Sequence, residues 1–216
     1  MGICLYFVRH GETDWNKARK VQGSVDIPLN DYGRHLARGT AKGFADIDFD
    51  VAYTSPLMRA KETAQIILEG RDAPLIEDKR IEEISFGIYE GMVCSNNDSD
   101  KFWAFDKLFT KPEEYIPVEG ESLEELSKRV GEFLNELQEK YDGQDKKILV
   151  VTHGATLNAL LNHAKNNHQI ANFWPGNVFP NCGVAVVHLE DGKYTIEEEG
   201  VVYHQEEVVN WEWEDE

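Results

Sequence analysis

The chain has 216 residues, of which 22 are basic and 40 acidic, giving a formal net charge of −18. That length suits one α/β domain with a core large enough to need no staple, and so acidic a chain argues against nucleic acid or an anionic membrane as partner, because both need a positive footprint. A small phosphorylated substrate is not argued against, since screening over about 8 Å at physiological salt leaves a few cations inside a pocket in control.

Residues 3–8 (ICLYFV) are a continuous apolar run of the kind buried in parallel sheets, and the run stops at Arg9-His10-Gly11. Asn30-Asp31 opens a helix carrying Tyr32, Leu36, Gly39 and Gly43. Residues 51–54 read as a second strand, and Ser55-Pro56 then predicts the N-cap and first residue of a helix reaching about Leu68. Residues 74–84 read as a short extended element and a loop. Residues 95–100 are polar, 101–108 predict a short helix, and 111–121, broken by Pro112, Pro117 and Gly120, predict irregular chain. Ser122 and Glu125 form a capping box ahead of Leu123, Leu126, Val130, Phe133, Leu137 and Tyr141, which repeat at helical spacing. Residues 148–152 (ILVVT) form a further strand ending at His153-Gly154, and 157–166 predict a helix. Residues 182–189 and 194–199 predict a hairpin around Asp191-Gly192. The tail ends in WEWEDE, expected to be a surface segment.

Strands alternating with helices predict an α/β fold, a three-layer α/β/α sandwich with a mainly parallel central sheet, as a single domain over residues 1–216. Ligands in such sheets sit at the carboxyl ends of strands, which is where both His10 and His153 stand. Cys4, Cys94 and Cys182 are far apart with no C-x-x-C pair, and no apolar run is long enough for a signal or membrane segment. A reducing cytoplasm is therefore expected.

Four short motifs could carry chemistry. Arg9-His10-Gly11-Glu12-Thr13, with Asn16 and Gln22-Gly23 beyond, could surround an anion, although RH alone is uninformative. Thr54 to Ala60 (TSPLMRA) sets Arg59 one turn inside a helix whose N-terminus could attract phosphate; Arg59 could equally decorate a surface. The stretch 81–87 (IEEISFG) offers Glu82 and Glu83, either a proton donor beside an anion or a solvated pair. Thr152-His153-Gly154 repeats the strand–His–Gly arrangement, though a lone histidine at a strand end is usually structural.

Together, in this order and approximate spacing from Ile3 to about Asn166, the motifs make the chain resemble the histidine phosphatase superfamily, in its phosphoglycerate mutase-like branch. The resemblance implies that His10 is the nucleophile and becomes phosphorylated. Arg9, Arg59 and a cationic His153 would grip the phosphoryl oxygens, helped by Asn16 and the backbone around Gly154 and Ala155. Glu83 would be the general acid, with Glu82 facing elsewhere, and Gln22-Gly23 would line the substrate side. Two guanidiniums and a cationic histidine would stand in for metal, so neither a metal nor a cofactor is expected.

The expected activity is hydrolysis of small phosphorylated metabolites through a phosphohistidine. The alternative is a bisphosphoglycerate-dependent mutase, which the short segment 92–117 disfavours because it holds Lys101, Lys107 and Lys111 but no arginine. Less favoured are a non-catalytic phosphate-binding domain and a metallohydrolase using His10, Glu12, Asp14 and His153, which lacks a compact ligand spacing. Specificity is expected from a lid over about residues 92–121, where Phe102, Trp103, Phe105 and Phe109 either shape the site or only pack the segment down. Oligomeric state stays open.

Overall fold

A computed structural model describes residues 2–94, 100–174, 176 and 178–204. Six strands form one sheet: β1 (Ile3–Arg9), β2 (Val51–Thr54), β3 (Leu75–Glu77), β4 (Lys146–Thr152), β5 (Val184–Glu190) and β6 (Lys193–Val201), in the order β3-β2-β4-β1-β5-β6. The first four are mutually parallel, while β5 and β6 run antiparallel at the far edge. The β5–β6 hairpin turns through Asp191 and Gly192, both with positive φ (49° and 72°), the conformation that tight two-residue hairpin turns require.

Both faces of the sheet are covered. Successive side chains of a strand point to opposite faces, so Leu5 and Phe7 of β1 join Ile148 and Val150 of β4 in one core, while Tyr6 and Val8 join Leu149 and Val151 in the other. The second core is closed by α3 (Met58–Ile67) and by Phe44 and Phe49, which follow α2 (Asp31–Gly43); α2 packs on α3 through Leu36, Ala37 and Ile66. The first is closed by α5 (Leu123–Tyr141) and α6 (Gly154–Ala164). Burial on both sides is why these strands read as unbroken apolar runs. On α5 the Ser122–Glu125 capping box is formed, and Leu123, Leu126, Val130, Phe133 and Leu137 are all buried.

The remaining helices are one turn, α1 (Asp14–Lys17), and α4 (Asp100–Thr110). Phe102 and Phe105 of α4 are buried whereas Trp103 is exposed, so part of that aromatic set packs the segment onto the domain. Two expectations shift. Ser55-Pro56 does not start a helix: α3 begins at Met58 with Leu57 as its cap, and the Met58 N–H is taken by Asp26 Oδ1 at 2.7 Å, so that terminus is closed by a carboxylate. Helix α6 starts three residues earlier than its apolar spacing suggests, directly after His153. The WEWEDE tail and residues 95–99 lie outside the described residues. Among the described residues no helix is long and apolar enough to cross a membrane.

Candidate active site

The site is built where β1 and β4 end side by side. Their parallel register pairs Arg9 with Thr152, the His10 N–H donates to Thr152 O at 2.9 Å, and the rings of His10 and His153 lie 5.1 Å apart. The loop leaving β1 is fixed by close backbone approach. The Gly11 N–H donates to Thr63 Oγ1 at 3.0 Å, and a Cβ at Gly33 would stand 2.1 Å from Glu12 O, so α2 can lie on the loop only where it carries glycine.

His10 is buried, and its Nδ1 lies 2.6 Å from Gly11 O. A carbonyl only accepts, so Nδ1 carries the proton and Nε2 keeps its lone pair. Burial, with Arg59 and Arg9 adding positive charge, holds the imidazole well below its ordinary range against the opposing pull of Gly11 O. The ring is neutral, with one defined nucleophilic nitrogen.

Arg59 is wholly buried at the hub. Its Nε donates to His153 Nδ1 (3.1 Å), Nη1 to Val25 O (2.7 Å) and Nη2 to Gly23 O (2.7 Å). A guanidinium has five N–H groups, so three shape the site and two are left for a ligand. Because His153 Nδ1 accepts from a permanent cation, its proton resides on Nε2, which lies 2.8 Å from Ser55 Oγ. Burial and then Arg59 hold His153 well below its ordinary range. The expected cationic His153 is therefore corrected: here it is a neutral ring with both nitrogens engaged.

Arg9 is buried too. Its Nη1 donates to Phe179 O, and its Nε has no partner among the described residues. Burial pushes both guanidiniums down to about 10, only partly offset by Glu83. Two desolvated cations with an orphaned donor are costly unless an anion completes them.

Glu83 closes the other side. Its Oε2 accepts from the Ala155 N–H at 3.1 Å and its Oε1 from the Thr156 N–H at 3.1 Å. The carboxylate thus caps the first turn of α6, whose N–H groups have no partner within the helix. The expected use of the Ala155 amide by a phosphoryl group is corrected accordingly: that N–H belongs to Glu83, and the Gly154 amide is left. A Cβ at Gly154 would stand 3.7 Å from both Arg9 Nε and Glu83 Oε2, so glycine keeps the space between cation and acid open. Glu82 does not line the cleft, and its backbone carbonyl accepts from Thr156 Oγ1 (2.6 Å) and Arg129 Nη1 (2.8 Å).

Asn16 and Gln22 are both buried at the cavity wall. The Asn16 oxygen is occupied by the Thr13 N–H at 3.1 Å, and Gln22 Oε1 lies 3.0 Å from the Thr13 hydroxyl, so each has its amide group left to turn to a ligand. Glu90, in the motif around Gly91, works structurally: its Oε1 accepts from the Ser24 N–H (2.8 Å) and the Phe86 N–H (3.1 Å), which sets Gly23 in place.

These groups open into one solvent-accessible cleft. Beyond them it is lined by Arg19, Lys20, Phe86, Phe105, Phe109 and Trp174, which the motifs did not single out, apart from Phe105 and Phe109. Their spacing of four along a helix was the available signal; Trp174 had none, because it meets the site only through the fold. Among the described residues no group of three His, Cys, Asp or Glu side chains could hold a metal ion.

The family model of the histidine phosphatase superfamily (branch 1) matches residues 5–201. Uncharacterized phosphatase PhoE of Bacillus subtilis is 40% identical over 159 residues, covering 74% of this chain and 75% of that protein. Phosphoglycerate mutase-like protein 4 of Arabidopsis thaliana is 35% identical over 209 residues, 94% of this chain and 87% of that one. The solved structure of Bacillus stearothermophilus YhfR superposes with a TM-score of 0.86 at 31% identity, covering 93% of this chain and 98% of that one. The paired strand ends, the buried guanidiniums and these likenesses agree, and the chain belongs to the histidine phosphatase superfamily, branch 1.

Proposed function

We propose that this enzyme hydrolyses small phosphate monoesters through a phosphohistidine formed at His10. The observation that carries the reading is a neutral buried imidazole, its Nδ1 proton tied to Gly11 O, standing between two buried guanidiniums of which one keeps an unpartnered Nε. In-line phosphoryl transfer asks a protein for positioning and for stabilisation of spread negative charge, and this arrangement supplies both.

The phosphoryl group sits against Arg9, Arg59, Asn16, Gln22 and the Gly154 amide. His10 Nε2 forms the bond to phosphorus as the bond to the ester oxygen breaks, and Glu83 Oε2, having taken a proton from the monoanionic phosphate ester as it binds, passes that proton to the leaving alkoxide. Water, deprotonated by the same carboxylate, then attacks phosphohistidine and releases phosphate. His153 orients Arg59 rather than holding charge itself. The three free thiols suit a reducing compartment, and we place the protein in the cytoplasm.

Brief incubation with a 32P-labelled ester and acid-free quenching tests the reading. An acid-labile, base-stable label should appear on the wild type and vanish in His10→Asn, together with turnover, and dialysis against EDTA should leave the rate unchanged. An unlabelled enzyme that turns over, or a His10→Asn rate within tenfold of wild type, would sink it.

A further inference from the structure

Apart from the phosphate end, the cleft is walled by aromatic rings in unbroken sequence. Phe86 and Phe105 lie 5.2 Å apart, Phe105 and Phe109 5.7 Å, and Phe109 and Trp174 4.9 Å, each pair edge-on or tilted. The wall is held rigid. Phe105 and Phe109 stand one turn apart on α4, and the Trp174 Nε1–H donates to Leu108 O at 2.7 Å, tying its loop to the same helix. Val178 carries the apolar surface to the phosphate end, where its Cγ1 would lie 3.1 Å from a Cβ at Gly154. Arg19 and Lys20 also line the cleft.

We propose that this wall is a subsite for an apolar leaving group. The preferred substrates are then phosphate monoesters of aromatic or aliphatic alcohols, not of polyols or amino alcohols. The proposal rests on the hydrolytic reading above and adds the class of alcohol. A ring or alkyl chain against these residues leaves water and meets matching surface. A polyol would lose water from hydroxyls that find few partners there. An ammonium would likewise lose water that apolar rings replace only in part.

Four primary alkyl monoesters test the idea with leaving groups of similar chemistry: 2-phenylethyl, ethyl, 2,3-dihydroxypropyl and 2-aminoethyl phosphate. The last two alcohols are the more acidic, so leaving-group ability alone would favour them. We expect kcat/KM for the 2-phenylethyl ester to exceed the other three by about thirtyfold or more. In Phe109→Ala the ratio of 2-phenylethyl to ethyl kcat/KM should collapse by about tenfold, while Phe109→Leu should keep most of it. Competitive inhibition by inorganic phosphate shows that each variant retains its phosphate end. A wild-type preference for the dihydroxypropyl or aminoethyl ester, or a ratio unchanged in Phe109→Ala, overturns the subsite while His10 is still labelled. If no ester labels His10, the hydrolytic reading fails and the subsite with it.

Discussion

Arg59 donates through Nε to His153 Nδ1 at 3.1 Å, and that one bond decides the state of both residues. It fixes the His153 tautomer, sends its proton to Ser55, and leaves the guanidinium edge turned to Gly23, Val25 and the cleft. Lysine offers a point charge and no planar fork, so it could replace one of these bonds but not all. Arg59→Lys should lower stability by about 2–4 kcal/mol, because buried acceptors lose their donors, and lower kcat/KM at least about a hundredfold. Urea unfolding and steady-state kinetics measure the two effects. A variant as stable as wild type would show that the hub is not held this way.

His10 owes its neutral state to burial, then to Arg59, then to Arg9. In NMR titration, with the resonance assigned by its loss in His10→Asn, the imidazole should stay neutral well below the ordinary 6.5. Arg9→Met, which removes one of the two cations, should raise the midpoint. The sign for stability follows: the unfolded chain binds these protons first, so the contribution of His10 and His153 is complete above about 6.5 and lost as pH falls below it toward the folded values. A wild-type midpoint at or above 6.5 would contradict the buried, cation-flanked ring.

Much of this was legible in the sequence because period and capping are local. The apolar runs of β1 and β4 marked strands buried on both faces, and Ser122 with Glu125 marked the start of α5. Motif order located His10, Arg59, Glu83 and His153. What sequence could not give was partnership across the fold. Ser55 reads as a helix cap until His153 claims its hydroxyl, and Ala155 reads as an anion-binding amide until Glu83 occupies it. The cations show the same limit: of the segment's lysines, Lys107 and Lys111 both pair with Glu114, while Arg19 and Lys20, from another part of the chain, line the cleft.

Glu83 is held by two α6 amides, so Glu83→Gln keeps an oxygen for one of them and should fold with a loss of about 1 kcal/mol. Its chemistry should suffer selectively. A proton donor matters most when the departing alkoxide is strongly basic and little for p-nitrophenolate. Phosphorylation of His10 by an alkyl phosphate should therefore slow about a hundredfold or more beyond any slowing with p-nitrophenyl phosphate. The comparison must use the phosphorylation step, because the role proposed for Glu83 extends to the later attack of water. Equal losses for both substrates in that step would remove Glu83 from the acid role.

The relative named as phosphoglycerate mutase-like makes the fate of phosphohistidine the sharpest question. A mutase must keep water away until a second hydroxyl of its substrate is aligned, which demands enclosure and a further set of cations for the distal anion, since a buried unpaired anion is costly. Here Lys107 and Lys111 share the carboxylate of Glu114 and do not line the cleft, and Arg19 is exposed, where solvent weakens its hold on an anion. The wall opposite is aromatic and offers a carboxylate nothing. Water should win. Given 3-phosphoglycerate with a trace of 2,3-bisphosphoglycerate, the enzyme should release inorganic phosphate, if it acts on that compound at all, faster than it forms 2-phosphoglycerate. Following both products by 31P NMR decides the matter. Isomer formation outpacing phosphate release by about a hundredfold, a difference of roughly 3 kcal/mol between the two acceptors, would replace hydrolysis with mutase chemistry. It would leave His10, Arg59 and Glu83 in the same places.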